Sequence, residues 1–167
     1  DKGKQGDVSS EALALVDKIE KILGDSWQSS SYDMLRDLTH SPDSKWAHYV
    51  NRIVREVDPH ILKTFLLNAG YEAGFRGYKT SLAMKEKYGC NIPWIILMDP
   101  TTACNLHCTG CWAAEYGNRL NLSYEMMDKI ITEGKELGIY AYLFRGGEPL
   151  VRRDDIIKLC EKHKDVA

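Results

Sequence analysis

Two short apolar runs constrain the fold of the second half of this chain more than any other feature. "IPWIILMDP" spans residues 92–100 and "IYAYLF" spans 139–144. Both are too short for helices and dense in β-branched, aromatic and other large apolar residues, so each reads as a strand. The first lacks polar alternation, which predicts a strand buried on both faces, as in a parallel sheet. Each run passes through a loop into a helical pattern. "NLSYEMMDKIITEGKELG" puts Met127, Ile130, Ile131 and Leu137 on one face, with Ser123 as cap and Gly138 as stop. "RGGEPLVRRDDIIKLCEKHKD" turns through two glycines into a helix capped by Asp154 or Asp155. Strand, loop, helix, repeated once, predicts an α/β architecture with a parallel sheet and a right-handed crossover.

The first half carries no strand signal. "SSEALALVDKIEKILG" has apolar residues at helical spacing, Ser9 or Ser10 to cap it and Gly24 to stop it. "SPDSKWAHYVNRIVREV" repeats the pattern through Trp46, Val50, Ile53, Val54 and Val57. Asp58 and Pro59 then form a cap and first-turn pair for "PHILKTFLLNAG", whose Ile61, Leu62, Phe65 and Leu66 make a stripe ending at Gly70. "YKTSLAMKEKYG" predicts a last helix. Such stripes face a core, so plain packing between helices is the expected role of residues 1–88.

With 44% hydrophobic and 28% charged residues the composition is that of a globular protein rather than a disordered one. A net charge of −2 gives no nucleic-acid signal. The longest apolar run, around Ile95–Met98, falls far short of the roughly 20 residues of a membrane span. "DKGKQGDVSS" lacks the apolar core of a signal peptide, and a cytoplasmic location is expected.

Between the first strand and its helix lies "DPTTACNLHCTGCWAAEYG", with three of the five cysteines, Cys104, Cys108 and Cys111, spaced C-x3-C-x2-C. Clustered thiols in an odd number suit a metal rather than a disulfide framework. Pro100 before them and Gly110 between them favour a loop over a helix face. A structural zinc or a ferredoxin-type cubane takes four ligands, and His107, adjacent to Cys108, is a poor fourth. Three ligands leave one position of a centre open, as catalytic sites require. Cys90 and Cys160 read as buried thiols away from this loop.

"CNLHCTGC" resembles the cluster motif of the radical S-adenosylmethionine (radical SAM) enzymes. "GGEP", Gly146 to Pro149 after the second strand, resembles their second signature. The resemblance covers roughly residues 89 to 167. It implies that Cys104, Cys108 and Cys111 hold a [4Fe-4S] cluster, and that the amino and carboxylate groups of SAM take its fourth iron. Gly146, Gly147, Glu148 and Pro149 would lie against the SAM amino group, the glycines admitting close backbone approach and Glu148 adding a negative charge. Valine at either glycine is then expected to weaken SAM binding and spare the cluster. The family usually has an aromatic residue before the third cysteine, near the adenine. Here Gly110 stands there, and Trp112 either supplies that surface or packs against the barrel. Arg145, where a threonine or serine is frequent, faces an anionic group or is structurally paired. Glu115, Tyr116 and Arg119 either reach a substrate or cap the loop.

The implied fold is the start of a partial (βα)6 TIM-like barrel, preceded by an all-α segment. Residues 1–88 form a helical region and 89–167 the first part of the core domain, so the chain is expected to be a fragment. The implied chemistry is reductive cleavage of SAM to a 5′-deoxyadenosyl radical that abstracts hydrogen from an unknown peptide or small-molecule substrate. A flavodoxin or ferredoxin would be the electron donor. The alternatives are a non-catalytic metal-binding module, with zinc or an iron–sulfur cluster, and an interaction domain.

Overall fold

In the computed structural model, residues 8–23, 29–40, 45–111 and 120–167 are described. They divide into two compact units, Asp1–Thr64 and Phe65–Ala167. No helix among the described residues is long and apolar enough to cross a membrane.

The first unit is helical: α1 (Val8–Leu23), α2 (Ser29–His40), α3 (Lys45–Glu56) and the start of α4 (Pro59–Phe65). Helix α1 begins before Ser9 and Ser10, so neither is its cap, and Gly24 lies outside the described residues. The start of α4 follows the expected chemistry. Asp58 accepts from the backbone N–H of His60 at 2.7 Å and of Ile61 at 3.4 Å, and Pro59 opens the helix. Helix α2 was not among the expected helices, its apolar residues being few. Its buried anchor is Tyr32, and Arg36 ties it to Asp17 and Glu20 of α1. The stripes of α3 and α4 do not behave as a core, since Trp46, Val50, Val54, Ile61 and Phe65 are all exposed.

In the second unit Gly70 does not end a helix. A π-helix runs over Leu66–Gly77 and passes into α5 (Tyr78–Tyr88). Close packing explains why glycine is used here. A Cβ on Gly77 would stand 2.5 Å from the Gly138 carbonyl oxygen, so Gly77 lets this segment seat against the turn before the second strand. Asn68 of the π-helix also donates to the carbonyls of Lys164 and Val166 at 2.9 and 2.8 Å. Gly89, at φ +66°, closes α5.

The two apolar runs form β1 (Ile95–Met98) and β2 (Ala141–Phe144), which pair in parallel with Ile95 opposite Ala141 and Met98 opposite Phe144. Between them lies α6 (Tyr124–Glu136), capped by Ser123, whose hydroxyl accepts from the Met126 N–H at 3.1 Å. After β2 a 3-10 turn (Pro149–Arg152) leads into α7 (Arg153–Lys162). Asp154 and Asp155 fall in the first turn of α7 rather than at its cap, where their negative charges interact favourably with the positive end of the helix dipole.

One face of the sheet makes the core. Ile96, Met98, Tyr142 and Phe144 pack with Met127 and Ile131 of α6 and Leu159 of α7. Each fully buried side chain of this size contributes about 1.5–3 kcal/mol. The Tyr142 hydroxyl sits within hydrogen-bonding reach of the Ile131 and Ile139 carbonyls, and burial pushes its pKa up. Gly134 of α6 leaves room for that hydroxyl. The other face, expected to be buried, is covered only at its start, where Ala141 is buried; Leu97 and Leu143, side by side in register, are 50% and 49% exposed.

The outer edge of β2 carries a further contact. Ala167 donates to the Tyr140 carbonyl at 2.8 Å and accepts from the Tyr142 N–H at 2.9 Å. Bonding of one residue to partners two apart is the parallel pattern. Cys90 and Cys160 are exposed, not buried, because Cys90 follows the open end of α5 and Cys160 points off α7 beside the buried Leu159.

Candidate metal centre

The loop leaving β1 is closed at its base. Leu122 N–H donates to the Pro100 carbonyl at 3.0 Å, and Thr102 N–H to the Leu120 carbonyl at 2.9 Å. Leu120 N–H returns a bond to the Thr102 hydroxyl at 3.1 Å, and Thr101 bridges Asn121 in antiparallel fashion. The outgoing arm, 100–103, and the returning arm, 120–122, thus form a neck. Thr101 is buried within it, and its hydroxyl accepts from the Ala103 N–H at 2.9 Å. The cysteines sit beyond this neck, past the C-terminal end of β1.

Cys104 and Cys111 are half-buried and Cys108 is exposed. The Leu106 N–H donates to the Cys104 sulfur at 3.4 Å. Cys111 N–H donates to the Cys108 carbonyl at 3.2 Å, closing a turn through Gly110 at φ +72°. This left-handed residue accounts for glycine where an aromatic side chain was expected, since any other residue there costs roughly 1–2 kcal/mol. Among the described residues, no three His, Cys, Asp or Glu side chains are gathered closely enough to hold a metal ion. The structure puts the three cysteines on one loop without drawing their sulfurs together. Thiols have no mutual attraction without a metal, and metal binding commonly completes the folding of its own loop. The donor set itself, three thiols on one short exposed segment, suits an iron–sulfur cluster. Trp112, Glu115, Tyr116 and Arg119 lie outside the described residues.

The "GGEP" segment lies against this loop. Arg145 N–H donates to the Met98 carbonyl at 2.8 Å, Gly147 N–H to Thr101 at 3.0 Å, and Glu148 N–H to Ala103 at 2.8 Å. These bonds extend the β1–β2 ladder past the strand ends, into the arm that carries the cysteines. The glycines serve that contact. Gly146 is at φ +104°, and a Cβ there would come within 2.9 Å of the Asp99 Cβ and the Thr101 carbonyl. A Cβ on Gly147 would stand 2.3 Å from the Ala103 carbonyl oxygen. Close approach was expected toward a ligand; the approach seen is toward the cysteine loop's own backbone. The Glu148 carboxylate caps the 3-10 turn, accepting from the Leu150 N–H at 3.0 Å, and Pro149 opens that turn. Arg145 is paired with Asp99 at 3.5 Å, on the sheet face that bears Leu97 and Leu143.

This geometry joins a three-cysteine loop to a glycine turn at one end of a parallel pair.

Residues 97–167 match the model of the 4Fe-4S single cluster domain.

That match supports an iron–sulfur cluster in the second unit, and it spans the cysteine loop, both helices that follow and the "GGEP" turn. A 66-residue stretch is 36% identical to an uncharacterized protein of Archaeoglobus fulgidus, covering 38% of this chain and 16% of that protein. An 85-residue stretch is 35% identical to the GTP 3′,8-cyclase of Petrotoga mobilis, covering 48% of this chain and 26% of the cyclase. The chain therefore spans only 16% to 26% of the lengths of these two relatives. No solved structure matches the chain.

Residues missed by the sequence reading are Thr101, Thr102 and Arg152. A pair of β-branched hydroxyl residues directly after Pro100 is a signal for a short extended arm with local capping. It identifies the outgoing side of the neck, but not the distant residues that close it.

Proposed function

We propose that this chain is part of a radical SAM enzyme. Cys104, Cys108 and Cys111 would hold the [4Fe-4S] cluster, and SAM would bind beside it against Gly146, Gly147, Glu148 and Pro149. The observation that carries the reading is the backbone ladder joining the cysteine loop to the "GGEP" turn at the C-terminal ends of two parallel strands. That end of a βα architecture is where active sites collect. The match to a 4Fe-4S domain supports the cluster, and the spacing of the three cysteines supports an open iron.

The cluster and SAM, held there, would supply radical chemistry for hydrogen abstraction. The chain's own residues bind and orient. The cysteine loop presents three sulfurs from one segment. The ladder from Met98 to Ala103 fixes that segment relative to the glycine turn. The Asp99–Arg145 pair places one charge of each sign beside the exposed Leu97–Leu143 face, which would border the substrate space. Trp112 is the candidate for an adenine-facing surface. The partial (βα)6 barrel belongs to this proposal too, supported by the parallel-type bonds of Ala167 along the free edge of β2. A flavodoxin or ferredoxin would donate the electron, and the substrate would be a peptide or small molecule.

The test is 5′-deoxyadenosine formation by the intact protein, reconstituted without oxygen and reduced with dithionite. SAM-dependent product, lost when Cys104, Cys108 or Cys111 is changed to Ala, is the expected result. A cluster-loaded protein that makes none would overturn the enzyme reading.

A further inference from the structure

Arg152 ends the 3-10 turn after "GGEP", and its side chain is largely buried. Its Nε and Nη2 donate to the Asp155 carboxylate at 3.0 and 2.6 Å. The remaining arm of the fork, Nη1, donates to the Leu122 carbonyl at 2.8 Å and stands 3.5 Å from that of Pro100. Leu122 and Pro100 form the innermost rung of the neck of the cysteine loop, bonded to each other through the Leu122 N–H. The outgoing arm is already held by Gly147 and Glu148, whose N–H groups bond Thr101 and Ala103. From the turn that follows "GGEP", the Arg152 side chain reaches the returning arm.

We propose that Arg152 is a positioning residue for the cysteine loop: its guanidinium, aimed by Asp155, clamps the returning arm to the turn that follows "GGEP". The idea rests on the iron–sulfur reading only for its consequence at the cluster. Arginine suits the task because its planar fork serves a carboxylate and a carbonyl at once. A lysine ammonium is one nitrogen and cannot meet the carboxylate and the carbonyl from separate nitrogens, as the guanidinium does. Bonds from a charged donor in a largely buried setting are stronger than neutral ones, and a loosened neck would present the three cysteines less firmly to a metal.

The test uses the intact protein with Arg152→Gln, Arg152→Lys and, as control, Arg153→Gln, whose exposed side chain pairs with Asp154 instead. In metal-free protein, amide hydrogen exchange is read at Thr102, Leu120 and Leu122. In loaded protein, the rate of cluster loss to a chelator and the EPR signal of the reduced cluster are read. Arg152→Gln should speed exchange at the neck about tenfold, the worth of one hydrogen bond from a charged group, speed cluster loss by about the same factor and shift the EPR signal. Amides of α6 should exchange as in the parent. Arg152→Lys should not restore the neck, and Arg153→Gln should match the parent in every reading. Unchanged neck exchange in Arg152→Gln would overturn the clamp, whether or not a cluster is bound. A looser neck with unchanged cluster loss and EPR signal would overturn the positioning role. Full rescue by lysine would reduce Arg152 to a charge partner of Asp155 and overturn the fork argument. An intact protein that takes up no cluster would contradict the iron–sulfur reading itself, while neck exchange would still decide whether Arg152 holds the loop.

Discussion

Gly147→Val asks what the glycine turn is for. The added Cβ would lie 2.3 Å from the Ala103 carbonyl oxygen and 2.8 Å from the carbonyl carbons of Ala103 and Thr102. All three are backbone atoms, so no side chain can swing away. The turn must lift off the cysteine arm, opening the bonds from Gly147 to Thr101 and from Glu148 to Ala103. Two such bonds at about 1 kcal/mol each give about 2 kcal/mol of lost support. At 1.4 kcal/mol per factor of ten that corresponds to roughly a 30-fold weaker hold on the loop. The assay is iron and sulfide per chain after anaerobic reconstitution, with a thermal melt to show that the β1–β2 core survives. The variant should fold and lose cluster. This reverses the expectation drawn from the motif, in which valine spares the cluster and harms SAM binding alone. A folded Gly147→Val protein with full cluster content and weakened SAM binding would refute the packing argument.

The remaining expectations concern the ligands and the core. Alanine at Cys104, Cys108 or Cys111 should abolish the cluster, while alanine at the exposed Cys90 or Cys160 should leave iron content unchanged; equal loss at either of the latter two sinks the ligand assignment. Gly134→Ala should lower stability by about 1–3 kcal/mol in a denaturant titration, because its methyl would meet the Tyr142 hydroxyl at 2.2 Å and overpacking outweighs the gain in helix propensity. Asp128 is held below the usual carboxylate range, chiefly by a hydrogen bond from Lys162 and then by one from His163. A depressed carboxylate stabilises the fold above its unfolded pKa, near 4, and loses that contribution as pH falls through the folded value. Asp128→Asn should therefore cost about 1 kcal/mol at pH 7 and should flatten the acid limb of the stability curve; a parallel curve would contradict the assignment.

The sequence was legible where local chemistry decides structure. Ile95–Met98 and Ala141–Phe144 could hardly be other than strands, Ser123 and Asp58 cap through their own side chains, and Gly89 stops α5 by its left-handed conformation. It was silent where distant backbone meets backbone. Gly70 reads as a stop, yet it lies inside a π-helix, and Gly77 at the end of that helix, which the sequence did not single out, is the glycine that its close approach to Gly138 needs. Helix α2, "SSSYDMLRDLTH", has few apolar residues among polar ones and rests on the buried Tyr32. In the site, the three cysteines and "GGEP" stood out as residue types. The neck pairing Thr102 with Leu120, and the bonds from Gly147 and Arg152 onto that neck, join positions 18 to 46 residues apart, so no local pattern announces them.

The most direct test of the central claim is the EPR spectrum of the intact, anaerobically reconstituted and reduced protein, recorded before and after SAM is added. The account predicts a reduced [4Fe-4S] signal that depends on Cys104, Cys108 and Cys111 and changes shape when SAM occupies the open iron. A cluster signal that SAM leaves unmoved, or a protein that takes up zinc and no iron–sulfur cluster, would contradict it.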